Sequence, residues 1–334
     1  MKRASRVWVL PAPAPPTSSR GPPGWSRAVR WPVVRSRGRT GARIAATLLG
    51  YERMSPASSA SAADWPEACR RSVEGVRQML RDHPATADRA VETGRGEGGD
   101  QALVIDRAAE EIIFAELDRL HAEGRRFVAL SEERGEVDYG DPGTRVVIDP
   151  IDGSMNAKRG LRPHALSFAV ATGATMDDVC FGYVYDFGAG EEWMAWRDGG
   201  AFLDGQRLTG APDERRVPDG RLELVAIESA HPDWVAAAAE GLQEVAHRLR
   251  AIGSIALSMC QVACTRVDGM ATLWRCRSVD AAASQLIVRE SGGLVAFSAY
   301  DEPLAAPLDL EPHSPVLAAR SEHGLAQLRR IPVR

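Results

Sequence analysis

"VVIDPIDGSMNAKRG", residues 146–160, drives a β-branched apolar run straight into two aspartates three residues apart. Val146, Val147 and Ile148 read as a short buried strand. Asp149 and Asp152 fall at its end, where Pro150 lacks the N–H that a simple continuation of the ladder needs. Two carboxylates held that close repel each other unless a cation stands between them. A bare D-x-x-D is most often a solvated turn, so its meaning depends on the rest of the chain.

Upstream, "RFVAL" (126–130) reads as a strand that delivers Glu132 and Glu133 to its end. Downstream, Asp280 opens a helix over "VDAAASQLIVRESGG", which Gly292 and Gly293 close. In open α/β sheets the carboxyl ends of strands gather ligands into a crevice. Each acidic cluster alone has an ordinary explanation: surface charge for Glu132 and Glu133, helix capping for Asp280. Together they carry enough charge for two divalent ions, and hard oxygen donors suit Mg2+ or Mn2+ rather than zinc.

The remaining pattern is mixed α/β. A helix spans Trp65 to about Arg81, with Ala68, Val73, Val76, Met79 and Leu80 on one stripe. Another starts near Asp106 in "LVIDRAAEEIIFAELDRL". "ALSFAVATG", "CFGYVYDF" and "EEWMAWR" follow as strands, with a turn at Asp198-Gly199-Gly200. After residue 220 come a strand "LELVAIES", a helix over "DWVAAAAEGLQEVAHRLR" capped by Asp233, and an apolar helix "SIALSMCQVACTRVDG" ending towards Gly269. Strands near 294–298 and 314–319 complete the chain. These elements divide it into residues 63–220, which carry most of the acidic residues singled out above, and residues 221–334.

Within 334 residues a sizeable core can be buried, and 44% hydrophobic with 26% charged residues is ordinary for a globular protein. The net charge of −4 hides an asymmetry. Residues 1–54 hold eleven Lys and Arg against the single acid Glu52, which leaves the remainder near −14. An acidic body argues against nucleic acid as a partner. The five cysteines are odd in number and form no C-x-x-C pair, so neither a zinc ribbon nor a disulfide framework is supported. Reduced thiols in a cytoplasmic enzyme are expected. No run of 18 apolar residues occurs, so no transmembrane helix and no membrane partner are expected. Residues 1–62 are rich in Pro, Arg, Ser and Gly without hydrophobic periodicity and read as disordered. They resemble neither the apolar core of a signal peptide nor a clean amphipathic transit helix, while Arg richness almost without acids leaves a transit segment open. Met54, just before the composition becomes ordinary, is a candidate translation start.

Over residues 64–334 the chain resembles the inositol monophosphatase superfamily. The resemblance rests on "SEE", "DPIDGSMN", "GSIALSMCQVACTRVDG" and "VDAAASQLIVRESGG", four motifs in the family's order. "GGDQALVIDRAAEE" is closer to the archaeal-type branch of inositol-phosphate/fructose-1,6-bisphosphate phosphatases. The resemblance implies a five-layer αβαβα sandwich, usually dimeric, that hydrolyses small phosphate monoesters with two or three Mg2+ ions, or with Mn2+. By motif position it implies Glu132, Asp149 and the Ile151 carbonyl at a first metal, and Asp149, Asp152 and Asp280 at a second. Asp106 and Ser154 take the place of the pair that activates water. Gly153, Ser154 and Ser254 are assigned to phosphate or substrate. Elementary chemistry agrees, because phosphoryl transfer is mostly positioning plus neutralisation of developing charge.

This chain also departs from the pattern. Val279 stands where many members have Trp, and "DGMATLWRCRSVD" is about one residue short for the archaeal-type branch. Leu273 stands seven residues before Asp280, where many inositol phosphatases place a substrate-contacting acid. Arg275 and Arg277 then offer contacts to a second anionic group, with solvated arginines as the plainer reading. The expected function is therefore a phosphatase of inositol phosphate or sugar phosphates. Fructose 1,6-bisphosphate, adenosine 3′,5′-bisphosphate and histidinol phosphate are alternative substrates, and a catalytically silent member of the fold is an alternative class.

Overall fold

The computed structural model describes residues 64–95, 97, 101–210 and 213–333. The expectations for residues 1–62, including a start at Met54, lie outside the described residues.

In chain order, helix α1 (Asp64–Asp82) and a short α2 (Thr86–Arg89) precede a hairpin of β1 (Glu92–Arg95) and β2 (Gln101–Leu103). Helix α3 (Val104–Ala122) follows, then β3 (Val128–Ser131), β4 (Gly135–Asp138) and β5 (Arg145–Asp152). After α4 (Ser154–Arg159) come β6 (Ala165–Ala171), β7 (Val179–Asp186), β8 (Glu191–Trp196), β9 (Gly200–Leu203) and β10 (Gln206–Arg207). These strands, from β3 on, form an eight-stranded sheet in the order β10-β9-β8-β7-β6-β5-β3-β4. Only the β3–β5 pair in it is parallel.

The second sheet is built from β11 (Leu222–Glu228), β12 (Ala246–Arg250), β13 (Gly269–Thr272), β14 (Leu294–Phe297) and β15 (Val316–Ala319). Its order is β12-β11-β13-β15-β14, and β11 is parallel to both of its neighbours. Its helices are α5 (Pro232–Val245), α6 (Ile255–Ala263), α7 (Ser278–Glu290) and α8 (Glu322–Leu328).

Burial explains the layering. The expected stripe of α1 is buried in full, and α1 and α3 cover one face of the first sheet. Trp65, Phe114 and Leu117 pack there against Phe127, Phe168 and Tyr183. The opposite face meets α6 and α7, where Val147 and Ala169 share a core with Met259, Leu286, Met270 and Val316. Both helices are therefore buried nearly all round, between two sheets. On the far side of the second sheet Leu242, Val245, Leu325 and Leu328 of α5 and α8 pack on Val225 and Leu317. The result is helix, sheet, helix, sheet, helix: the five-layer αβαβα sandwich the resemblance implied.

Four local expectations need correction. Strand β5 continues past Pro150 to Asp152; the chain accommodates the proline as a bulge, with Asp149 opposite Ser167 and Asp152 opposite Ala165. Helix α5 ends at Val245, and "AHRLR" is an edge strand parallel to β11, with Leu222 opposite Ala246 and Val225 opposite Leu249. The exposed backbone edge of β11 takes this segment, and helix propensity loses to that pairing. His231, not Asp233, caps α5: its ring accepts from the Asp233 N–H at 3.3 Å. Helix α6 likewise stops at Ala263, well before Gly269, with Thr265 turned to φ 62°.

Candidate active site

Strand register brings the first acids together. Ser131 lies opposite Ile148 in the parallel β3–β5 pair, so Glu132 and Asp149 lie side by side at the same end of the sheet. The bulge after Asp149 turns the chain so that Asp152 ends β5 and Gly153 caps α4. Gly153 has φ +89°, and a Cβ there would meet the Gly253 carbonyl oxygen at 2.8 Å, so only glycine fits. Ser154 is the first residue of α4. Asp280 arrives in the first turn of α7, and Ser254 caps α6.

Asp149 is buried, and its Oδ1 accepts the Ile151 N–H at 2.9 Å. Burial first, then the charges of Glu132, Asp152 and Asp280, push its carboxyl well above the usual carboxylate range, while Arg277 opposes the shift. Asp152 is pushed up to about 8 by burial and by Asp280. Its Oδ2 accepts from Ser254 Oγ at 2.6 Å and from the Ala256 N–H at 2.7 Å. The Ser254 hydroxyl also accepts the Leu257 N–H, so its proton is committed to Asp152 while the oxygen caps α6. Asp106, in the first turn of α3, takes the Leu103 N–H on Oδ2 at 3.2 Å. Its Oδ1 is buried without a partner, and burial with the Glu132 charge raises the carboxyl to about 8. Glu133 behaves similarly: Oε2 is buried and unpaired, and burial with Glu132 and Glu110 lifts it to about 7. Asp106 and Ser154, the pair the resemblance implied, share no hydrogen bond.

Arg277 is where the structure departs most from the sequence reading. Its Nη1 donates to Glu132 Oε1 at 2.7 Å and its Nη2 to Asp280 Oδ1 at 3.3 Å. Its backbone N–H donates to Asp280 Oδ2 at 3.0 Å, closing the cap of α7. The guanidinium is thus among the acids and not at an outer anion site. Leu273 is 1% exposed in the core between α5 and the second sheet, so it does not line the crevice. Arg275 is exposed. His164 donates through Nδ1–H to the Leu161 carbonyl at 3.1 Å and stacks on Phe187, and burial holds its ring below the ordinary value. That is a structural histidine.

Two supporting residues were not singled out from the sequence. Glu228, at the end of β11, is buried and takes the N–H groups of Ile252 and Gly253, both at 2.9 Å, together with the Ser258 hydroxyl. Asn156 donates to the Pro163 and Ile252 carbonyls at 2.7 and 2.8 Å. Between them they fix the loop that presents Ser254. Asn156 sits inside the quoted "DPIDGSMN"; the signal for Glu228 is an acid closing an apolar strand.

The donor set fits a hard divalent ion. Glu132, Asp149, Asp152 and Asp280 are carboxylates, and buried oxygens of Asp106 and Glu133 lack partners. Among the described residues, no three such side chains are gathered in a ready-made cage. Asp152 is turned onto Ser254 and Ala256, and Glu132 and Asp280 are turned onto Arg277.

A five-layer α/β sandwich with carboxylates converging beside its middle helices defines the class of inositol monophosphatase and fructose bisphosphatase folds. The chain belongs to the inositol monophosphatase family, whose model matches residues 66–331. It is 33% identical over 209 residues to an inositol-1-monophosphatase of Mesorhizobium japonicum, covering 59% of this chain and 72% of the relative. It is 28% identical over 242 residues to a fructose-1,6-bisphosphatase/inositol-1-monophosphatase of Methanothermobacter thermautotrophicus, covering 69% and 83%. The crystal structure of the extragenic suppressor protein suhB from Bartonella henselae superposes with a TM-score of 0.65 at 25% identity, covering 79% of this chain and 96% of that one. Among the described residues no helix is long and apolar enough to cross a membrane.

Proposed function

We propose that the protein is a Mg2+-dependent phosphatase of small phosphate monoesters, inositol phosphate or a sugar phosphate. The observation that carries this reading is Asp149: a fully buried carboxyl surrounded by the charges of Glu132, Asp152 and Asp280. Such a group is costly in a fold unless cations neutralise it. Glu132, Asp149 and the Ile151 carbonyl would hold one ion, and Asp149, Asp152 and Asp280 a second. Bound Mg2+ supplies neutralisation of the phosphoryl oxygens and acidification of a water, and Mn2+ can replace it.

The chain's own residues then divide the work. Asp106 Oδ1, buried and unpaired, takes the proton of the attacking water, and Ser154 at the head of α4 orients that water. Gly153, lacking a Cβ, lets backbone approach the phosphate. Ser254 keeps Asp152 aimed through its hydroxyl, and would offer its remaining acceptor capacity to substrate. The same reading carries a homodimer, a cytoplasmic location and no nucleic-acid partner, on the family resemblance and the acidic body. The names of the relatives suggest inositol 1-phosphate and fructose 1,6-bisphosphate as first substrates to try. A phosphate-release screen over these, adenosine 3′,5′-bisphosphate and histidinol phosphate, with Mg2+ and again with EDTA, tests the proposal. Release that needs Mg2+ supports it; no release from any ester at millimolar Mg2+ overturns it in favour of a silent member of the fold.

A further inference from the structure

Arg277 joins two acids that come from opposite parts of the chain. Glu132 lies 145 residues upstream at the end of β3, and Asp280 lies in the first turn of α7. All three side chains are largely shielded, 15% exposed for Arg277 and 17% and 10% for its partners. Both Asp280 oxygens receive Arg277, one from the guanidinium and one from the backbone N–H. The same positive charge reaches deeper, since it opposes the upward shift at Asp149 and at Glu133.

We propose that Arg277 is an internal counter-cation that competes with divalent ions for Glu132 and Asp280 and thereby sets how tightly the site binds metal. This rests on the reading that those two carboxylates are metal ligands. A carboxylate oxygen that accepts a guanidinium N–H at 2.7 Å has that lone pair engaged, so an ion must displace the donor to bind. The guanidinium also repels any cation a few ångströms away, and that repulsion is weakly screened in a half-buried site. Arginine stays charged at every working pH, so the competition cannot be relieved by deprotonation. The structure accounts for the absence of a ready-made cage among the described residues in the same way: two of its four acids are turned towards Arg277. Arg277 is a positioning residue in this scheme, acting on the ligands and not on substrate.

The test is a Mn2+ titration of the substrate-free protein, followed by electron paramagnetic resonance of free Mn2+ and by calorimetry. Arg277→Gln removes the charge with little change in size and should bind Mn2+ at least about tenfold more tightly, equivalent to about 1.4 kcal/mol. Arg277→Lys keeps the charge but cannot fork onto both acids, and should fall between Gln and wild type. It also serves if the Gln variant fails to fold. In EDTA, Arg277→Gln should melt below wild type, and Mg2+ should raise its melting temperature by more than it raises that of wild type. Affinity in the folded variants equal to or weaker than wild type overturns the competition. If wild type and both variants bind no Mn2+ at millimolar concentration, the metal-cradle reading itself falls.

Discussion

Asp152 and Ser254, 102 residues apart in sequence, share a hydrogen bond of 2.6 Å that ties the end of β5 to the cap of α6. One hydroxyl therefore serves an acid of the site and a helix terminus at once. Ser254→Ala removes a charge-assisted bond and an N-cap, so folding stability should fall by about 2–3 kcal/mol. A urea midpoint shift at unchanged slope reads that loss. Phosphate release should fall further than stability explains, because Asp152 then keeps only the Ala256 N–H to aim it.

Asp149→Asn separates fold from chemistry. The asparagine oxygen can still accept the Ile151 N–H, while the buried charge among three acids disappears. In EDTA the variant should be more stable than wild type, because the buried acid and its repulsion with its neighbours are removed. Phosphate release at saturating Mg2+ should be almost abolished. Near-wild-type turnover in a folded variant would remove Asp149 from the centre of the site.

Glu228, behind the acid cluster, gives a pH signature of its own. Burial raises its carboxyl to about 7, while the ordinary value is 4.5. The folded state thus holds this proton more tightly than the unfolded chain does. The stabilisation is complete below about pH 4.5 and is lost as pH rises through about 7. The difference amounts to roughly 3 kcal/mol between those limits. Glu228→Gln should be destabilised at pH 5, through its lost acceptor, yet show a flatter decline between pH 5 and 8. Parallel stability–pH curves for the two proteins would show that Glu228 does not titrate in this window.

Why some of this could be read in advance and some could not is clear from individual residues. The stripe of α1 and the buried run Val146–Ile148 are local periodicities that commit to one face or to full burial, and the fold uses them as written. The segment 246–250 carries no such commitment: its pairing with β11 depends on an edge supplied by residues 222–226. The acids of "DPIDGS" could be found because their spacing is local. Arg277 could not, since its partner Glu132 is distant in sequence and an arginine beside a helix start ordinarily faces water. Leu273 misled for the opposite reason: its distance from Asp280 suggested a rim position, and the turn buries it instead.

That burial fixes the last prediction. Leu273 packs with Ala271, Leu317 and Leu242 beneath α5, so Leu273→Glu would place a charge in an apolar core and not beside substrate. It should cost more than about 3 kcal/mol or prevent folding, and it should not create a preference for inositol 1-phosphate. With Leu273 in the core and Arg277 bound to Glu132 and Asp280, Arg275 is the exposed cation left on this turn to meet a second anionic group. Arg275→Ala should therefore lower kcat/KM for fructose 1,6-bisphosphate by roughly tenfold, the size of one solvent-accessible charge-assisted contact, chiefly through KM. The value for inositol 1-phosphate, which has no second anion to lose, should change less than about twofold. Equal losses on both esters would mean that Arg275 does not read the second anion, and the preference must then be sought on other elements around the crevice.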